Sequence, residues 1–149
     1  MKLLFAPLLM AFATSSFAAS PPKTPAVQLH GQRFTTEFAI NNASRERGLM
    51  MRTELAADHS MLFVFPEDAP RRFWMKNTLI PLDILYFDGN RKLVSAQPNV
   101  PPCQADPCPS YPSDFPARYV LELPGGTAAG IGVQMGDELT IEGTFGPVQ

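Results

Sequence analysis

Hydrophobic and polar residues alternate along much of the chain beyond residue 26, and this alternation is typical of β-strands with one buried face. Residues 27–29 and 34–40 form two such runs, and His30 and Gly31 between them indicate a tight turn. The pattern therefore predicts that the domain begins with a β-hairpin.

The segment 71–83 is central to the prediction, because it contains the single tryptophan and leads into an apolar run. In an extended strand, successive side chains point to opposite faces. Phe73 and Met75 would then face the core, while Arg72, Trp74 and Lys76 would share the other face. The sequence thus predicts an indole between two cations on the protein surface.

Further strands are predicted on either side of this segment. Residues 61–65 form a continuous apolar run, which is typical of a strand buried on both faces, and Pro66 should end that strand. A loop over residues 67–70 would then turn the chain into the tryptophan strand. Residues 82–87 and 92–96, joined by a short turn that contains glycine, predict the clearest hairpin of the chain.

The rest of the chain predicts one long loop, two strands and little helix. Residues 98–116 contain seven prolines and both cysteines, which indicates a connection without regular structure. Residues 118–123 and 137–142 have the pattern of strands. A helix is indicated within residues 41–52, where an Asn or Ser can cap it, and a helical turn within the segment 124–132, which contains four glycines.

Together these elements predict one domain over residues 27–149. Its fold class is mainly β, a compact antiparallel β-sandwich or barrel-like domain with one or two short helices. The length of 149 residues and the hydrophobic fraction of 45% are those of a globular protein with a single core.

The N-terminal segment has the composition of a cleaved secretory signal. Lys2 precedes a short apolar run, and Ser16-Phe17-Ala18 has small residues at the positions that a signal peptidase reads. We predict a signal peptide over residues 1–18, cleaved after Ala18, and a flexible leader over residues 19–26. The apolar run is shorter than the ~20 residues that a membrane-spanning helix needs. The mature protein is therefore expected to be secreted or periplasmic, without a transmembrane segment.

The charge balance argues against a nucleic-acid partner. The full chain has a formal net charge of −2, and removal of residues 1–18 takes away Lys2 and no acid, which leaves 11 basic and 14 acidic residues. Nucleic-acid binding usually requires a strongly basic face. A small ligand or a component of the cell envelope is the partner that the sequence favours, and nothing in it indicates an oligomeric state.

Cys103 and Cys108 lie in the proline-rich segment with four residues between them. In an oxidising compartment such a pair predicts a structural disulfide, which would contribute about 2 kcal/mol by constraining the unfolded chain. Two alternatives remain open at this point. One is a redox pair, although redox cysteines usually have two residues between them, and the other is a zinc site that would have to recruit both His30 and His59.

Several segments of the chain resemble the domain of unknown function 192 family. They are Arg-Gly-Leu-Met-Met-Arg at 47–52, Met-Leu-Phe-Val-Phe at 61–65, Phe-Trp-Met-Lys-Asn-Thr at 73–78, Pro-Leu-Asp at 81–83, Tyr-Val-Leu-Glu-Leu at 119–123 and Gly-Asp at 136–137. The resemblance extends from residue 28 to residue 142. It implies a small, mainly β domain of a kind that is commonly exported. It implies no activity and no catalytic residue.

The candidate ligand-binding residues are Arg72, Trp74, Lys76, Asn77 and Asp83. An indole between two cations can stack on a sugar or another planar group, while the cations bind carboxylate or phosphate. The alternative is that Trp74 packs beneath a loop and the long cationic side chains only cover it. Asp83 is a candidate general base or ligand acceptor. The more common alternative is that it accepts backbone N–H bonds in the turn around Asn77 and Thr78, or pairs with Lys76.

No catalytic constellation is evident in the sequence. Asp58, His59 and Ser60 are the residue types of a hydrolase triad, but neighbours in sequence cannot point at one another in the required relay. The chain has no glycine loop in a phosphate-binding context and no metal-ligand pair on a helix, so we predict no cofactor and no metal.

The function predicted from these features is that of a non-enzymatic ligand-binding or partner-binding domain of the cell envelope. One alternative is a hydrolase of envelope polymers that uses Asp83 with a second carboxylate. The other is a structural or interaction module that binds no small ligand.

Overall fold

The computed structural model describes residues 24–149. The predicted signal peptide, residues 1–18, and most of the predicted leader lie outside the described residues. Within the described part, a seven-stranded sheet, a two-stranded sheet and two short helices make up one mainly β domain, which confirms the predicted fold class. Neither of these helices has the length and apolar character required to cross a lipid bilayer.

The described residues form nine strands and two helices. In chain order they are β1 (Ala26–Leu29), β2 (Gln32–Ala39), α1 (Asn42–Arg47), β3 (His59–Ala69), β4 (Arg72–Trp74), β5 (Leu82–Phe87), β6 (Leu93–Val100), β7 (Ser110–Pro112), β8 (Ala117–Pro124), α2 (Thr127–Ile131) and β9 (Thr140–Glu142). The larger sheet has the order β6-β5-β8-β3-β2-β1-β9, and β4 pairs with β7 separately. The outer strands of this sheet, β6 and β9, are joined only through a single antiparallel bridge between Lys92 and Glu138, so no closed barrel forms within residues 24–149.

Neighbouring strands are mostly antiparallel, as the sequence predicts, with one exception. β1 pairs with β2 and β5 with β6, each as a hairpin. β2 and β3 run parallel. Parallel neighbours need a long crossover connection, and the segment between β2 and β3, which contains α1, provides it.

Each face of the large sheet carries its own hydrophobic core, because side chains alternate along every strand. On β5, for example, Leu85 belongs to the first core and its neighbour Ile84 to the second. Ala128 of α2 is part of the first core. Phe73 of β4 and Tyr111 of β7 pack against the second. The tryptophan strand therefore covers one face of the sheet and α2 covers the other.

Helix α1 is shorter than the segment in which it was predicted. Its N-cap is Asn41, whose side chain accepts a hydrogen bond from the Ser44 amide at 2.9 Å, while Ser44 Oγ accepts one from the Asn41 amide at 3.1 Å. Gly48 ends the helix with a φ of 47°, a value that residues with a side chain rarely adopt. The Phe63 ring would lie only 3.2 Å from a Cβ at Gly48, so the glycine also lets the helix end pack closely on the sheet.

Two segments that were predicted as loops contain strands. β3 continues to Ala69 and does not end at Pro66. Its pairing with β8 shifts register between Val64 and Ala69, and such an irregularity accommodates Pro66, which has no N–H to donate. The segment 98–116 holds the end of β6 and the whole of β7. β7 exists because β4 lies beside it, a long-range pairing that local sequence pattern does not indicate.

Candidate functional site

Strand β4 carries Trp74 at the surface of the protein. The tryptophan is 51% exposed, Arg72 is also exposed, and Lys76 is half-buried. Phe73 is half-buried and Met75 is 1% exposed, so these two side chains point inward. The alternation predicted for this segment is therefore observed. We call the residues Arg72, Trp74, Lys76 and Asn77 the Trp74 surface.

The strand that carries Trp74 is held on its inner face and along its edge. The Phe73 ring makes edge-to-face contacts with Phe63 and Tyr86, at centroid distances of 4.9 and 5.9 Å. The Tyr86 hydroxyl donates a hydrogen bond to the Tyr111 carbonyl of β7 at 2.6 Å. Burial raises the pKa of Tyr86, so this hydroxyl remains a donor. These contacts fix the position of the indole through its neighbour in sequence.

Lys76 connects the Trp74 surface to the cysteine loop. Its ammonium group donates to both carboxylate oxygens of Asp106, at 2.7 and 2.8 Å. Asp106 lies between Cys103 and Cys108, whose Cα atoms are 5.5 Å apart and whose sulfurs are at the bonding distance of 2.06 Å. The pair thus has the geometry of a disulfide. A depression next to this loop is lined by Lys76, Asn77 and the loop residues.

We expect replacement of both Cys103 and Cys108 by serine to lower the free energy of unfolding by about 2 kcal/mol, because the unfolded chain then loses a constraint. Urea denaturation of the oxidised wild type and of the double variant measures this difference. Reduction of the wild type should shift its midpoint to that of the variant, whereas coincident midpoints for oxidised wild type and variant would contradict the expectation.

A depression of about 450 Å³ lies between α1 and the Trp74 surface, and we call it the α1 cleft. It is lined by Ala43, Glu46, Arg47, Met50, Trp74, Lys76 and Asn77. This volume is within the usual range of small-molecule sites. The Met51 amide donates to the Asn77 carbonyl at 2.7 Å, so the two walls of the cleft are tied together.

Two arginines at the α1 cleft and the Trp74 surface form no ion pair with any residue in the range 24–149. These are Arg47 in the cleft and Arg72 beside Trp74, whose only polar contact is a long one to Ser110 Oγ at 3.5 Å. Arg45, in contrast, donates to the carbonyl groups of Val64 and Gln149 and to the Asn42 side chain. Arg45 is therefore structural, while Arg47 and Arg72 are free to bind an anion.

A smaller cavity of about 30 Å³ adjoins the α1 cleft, and Glu122 of β8 lines it. The two spaces share Arg47, Trp74 and Lys76 among their lining residues. A cavity of this size has room for a water molecule or for one small functional group. A buried carboxyl group of the large sheet therefore borders the cavity next to the α1 cleft.

The environment of Glu122 is apolar. The residue is 5% exposed, and the residues beside it on the neighbouring strands β3 and β5 are Met61 and Ile84, both buried. Burial disfavours the charged carboxylate and raises the pKa of Glu122 to about 8. At neutral pH the carboxyl group is therefore mainly protonated and able to donate a hydrogen bond.

Asp83 does not join the Trp74 surface, since it points to the opposite face of the sheet. It is fully buried, and its carboxylate accepts hydrogen bonds from the amides of Asn99 (2.7 Å), Gly126 (2.9 Å) and Ala128 (2.7 Å). Two of these bonds provide an acceptor for backbone N–H groups at the start of α2, which have no partner within the helix. Of the predicted roles, that of an acceptor of backbone N–H groups is observed, but the donors are not the amides around Asn77 and Thr78. The predicted pairing with Lys76 is not observed, because Lys76 pairs with Asp106.

The other candidate groups do not form a site within the described part of the chain. His59 Nδ1 lies 2.7 Å from Asp58 Oδ1, and Ser60 Oγ shares a hydrogen bond with Thr36 at 2.8 Å, so the three neighbours form no relay. His30 is paired with Asp137 at 2.9 Å. No cluster of three or more His, Cys, Asp or Glu residues suited to a metal ion occurs between residues 24 and 149.

Sequence reasoning missed Glu122 and the arginines of α1. Glu122 could have been found, because a carboxylate that interrupts the apolar run at 120–123 of a buried strand is unusual. The contribution of α1 could not, because it depends on how the helix lies against β4. Arg47 stands next to Gly48 in a segment for which the sequence predicted only a capped helix.

Comparisons with known proteins agree with this fold. The model of the domain of unknown function 192 family (DUF192), described as "Uncharacterized ACR", matches residues 25–141. No curated protein matches the sequence.

Two solved structures are similar to this chain. A protein of unknown function from Novosphingobium aromaticivorans DSM 12444 is 32% identical with a TM-score of 0.71, over 77% of this chain and 83% of that one. A protein from Sinorhizobium meliloti 1021, described as a candidate transcription regulator, is 36% identical with a TM-score of 0.72, over 83% of this chain and 98% of that one.

Proposed function

The chain belongs to the DUF192 family of uncharacterised proteins, and from this premise we propose that it is an exported, non-enzymatic domain that binds a small anionic ligand of the cell envelope at the Trp74 surface. The observation that carries the proposal is the indole of Trp74, 51% exposed on an anchored strand and flanked by Arg72 and the α1 cleft. An aromatic ring in such a position supplies a flat stacking surface.

The charges around Trp74 favour an anion as the ligand. Arg47 and Arg72 are both exposed and form no ion pair with another residue of the described chain. Guanidinium groups bind carboxylate and phosphate through paired hydrogen bonds. A ring that stacks on Trp74 while its anionic group meets an arginine would use both features of the surface.

Export is supported by two features. The N-terminal residues have the charge and apolar run of a signal peptide. The cysteine pair has disulfide geometry, and disulfides persist mainly in oxidising compartments such as the periplasm. A soluble envelope protein is consistent with both.

The hydrolase alternative has less support. It requires Asp83 and a second carboxylate in one cleft, but Asp83 is fully buried and its hydrogen bonds go to backbone amides at the start of α2. The description of the Sinorhizobium protein as a regulator applies to that protein. The net charge of −2 argues against the strongly basic face that nucleic-acid binding usually requires.

We expect Trp74→Ala to weaken ligand binding roughly tenfold, because the stacking surface is lost. A thermal-shift screen with envelope sugars, sugar acids and short acidic peptides identifies ligands, and isothermal titration of the hits measures the loss. Phe115→Ala is the matched control, since Phe115 is an aromatic residue with 61% exposure that lines none of the depressions around Trp74.

If Trp74→Ala leaves the affinity of every hit unchanged, the proposed site is wrong. A protein that binds no compound of the panel but co-purifies with an envelope protein would instead favour the interaction-module alternative.

A further inference from the structure

Glu122 is a buried carboxyl group for which the fold offers no partner. No hydrogen bond or ion pair links it to another described residue, although every fully enclosed polar side-chain atom of the described chain has a partner. Its oxygens must therefore keep access to the small cavity that Glu122 lines. Buried polar groups in native proteins are normally satisfied, so an exception calls for an explanation.

We propose that the Glu122 carboxyl donates a hydrogen bond to an anionic oxygen of the ligand that occupies the α1 cleft, and that this ligand is a sugar or similar ring compound bearing a carboxylate or a phosphate. The inference rests on the proposed function and assigns the polar group that recognises the ligand. The ring would lie against Trp74, and the anionic group would enter the cavity beside it.

The cavity favours an anion because Arg47, one of the cations that line it, forms no ion pair with another described residue. Arg45 and Lys76 also line it, but Arg45 donates to backbone carbonyls and Lys76 is paired with Asp106, and the single exposed acid of the lining is Glu46. A protonated carboxyl is the one form of Glu122 that can meet an anionic oxygen without charge repulsion. Burial keeps it in that form, since the pKa of Glu122 is raised to about 8.

This arrangement makes ligand binding depend on pH. As the pH rises through the range in which Glu122 ionises, the donor is lost and a second negative charge faces the ligand. The charged groups that line the same cavity are Arg45, Glu46 and Arg47 near α1 and Lys76 after β4, and the titratable Tyr86 of β5 interacts electrostatically with Glu122. All of them are retained in a Glu122→Gln variant, so comparison of the two proteins isolates the contribution of Glu122.

Isothermal titration with three probes tests the inference: glucuronate, glucose 6-phosphate and neutral glucose, each at about pH 7 and about pH 9.5. For the wild type we expect the affinity for an anionic probe to fall about tenfold between the two pH values, and that for glucose to stay constant. Glu122→Gln keeps a donor that does not ionise, so its affinity should not change with pH and should exceed that of the wild type at the higher value.

The two anionic probes distinguish the sources of the anionic oxygen. A pH response with glucuronate alone identifies a sugar acid, and one with glucose 6-phosphate alone identifies a sugar phosphate. An amide NMR spectrum of Glu122→Gln at both pH values establishes that the variant is folded.

The inference is overturned if Glu122→Gln shows the same pH response as the wild type, or if neither anionic probe binds the wild type. The proposed function has its own criterion, because it stands or falls with the effect of Trp74→Ala on the hits of the ligand screen. Loss of binding in Trp74→Ala without any effect of Glu122→Gln would leave the Trp74 surface in place and reject the role of Glu122.

Discussion

Replacement of Glu122 by glutamine is expected to stabilise the protein by about 3 to 5 kcal/mol at pH 8 and to change its stability little at pH 5. Burial raises the pKa of the Glu122 carboxyl from its ordinary 4.5 to about 8 in the folded protein. Between these values the unfolded chain releases the proton and the folded protein holds it. The free energy of unfolding of the wild type therefore falls as the pH rises through this window.

Other carboxylates change the free energy of unfolding in a different pH range. Arg52 holds the pKa of Glu37 below its ordinary value, the Gln134 amide does the same for Asp137, and Lys92 for Glu138. The stability that such groups contribute is present above their unfolded pKa and is lost as the pH falls through the folded one. Their effect therefore lies at acidic pH, below the range in which Glu122 destabilises the fold.

Urea denaturation of wild type and Glu122→Gln at several values between pH 5 and pH 8.5 measures the predicted difference. The two stability curves should diverge as the pH rises. Glu54→Gln is the matched control, because Glu54 is exposed and the same chemical change there should leave the curve parallel to that of the wild type. Parallel curves for Glu122→Gln would mean that its carboxyl is not desolvated.

Asp83→Ala is expected to lower the free energy of unfolding by about 3 to 5 kcal/mol, because three backbone amides lose a buried carboxylate acceptor at once. These are the amides of Asn99, Gly126 and Ala128. The loss affects the β6 strand and the start of α2 together. Asp83→Asn should be less harmful, since it keeps one acceptor oxygen.

Urea midpoints and amide hydrogen exchange test this expectation. Exchange at Gly126 and Ala128 should accelerate in Asp83→Ala more than exchange in the distant β1–β2 hairpin. Glu54→Ala removes an exposed carboxylate and should leave the midpoint nearly unchanged. If Asp83→Ala unfolds at the same urea concentration as the wild type, its carboxylate does not hold α2 in place.

The sequence predicted what depends on local pattern. The alternation from Arg72 to Lys76 was enough to assign Phe73 and Met75 to the core and Trp74 to the surface, because the side-chain period of a strand is two residues. A helix cap by Asn or Ser, which the structure places at Asn41, and the hairpins followed from turn chemistry and hydrophobic runs in the same way. The family could also be recognised from the order and spacing of short segments.

The features that the sequence did not predict depend on contacts between distant residues. The partner of Lys76 is Asp106, 30 residues away, and the partners of Asp83 come from the end of β6 and the start of α2. The α1 cleft exists because the segment after α1 is bonded to Asn77. Local periodicity contains no information on such contacts, so the α1 cleft and the role of Glu122 became visible only in three dimensions.

The open sheet has a consequence for behaviour at high protein concentration. A free edge is a template on which a second chain can add a strand. Here one border strand, β9, has only three residues, and the other, β6, contains Pro98, which has no N–H to offer. The side-chain amide of Gln97 donates a hydrogen bond to the Pro112 carbonyl at 3.0 Å. Both borders are thus poorly suited to add a strand from a second chain.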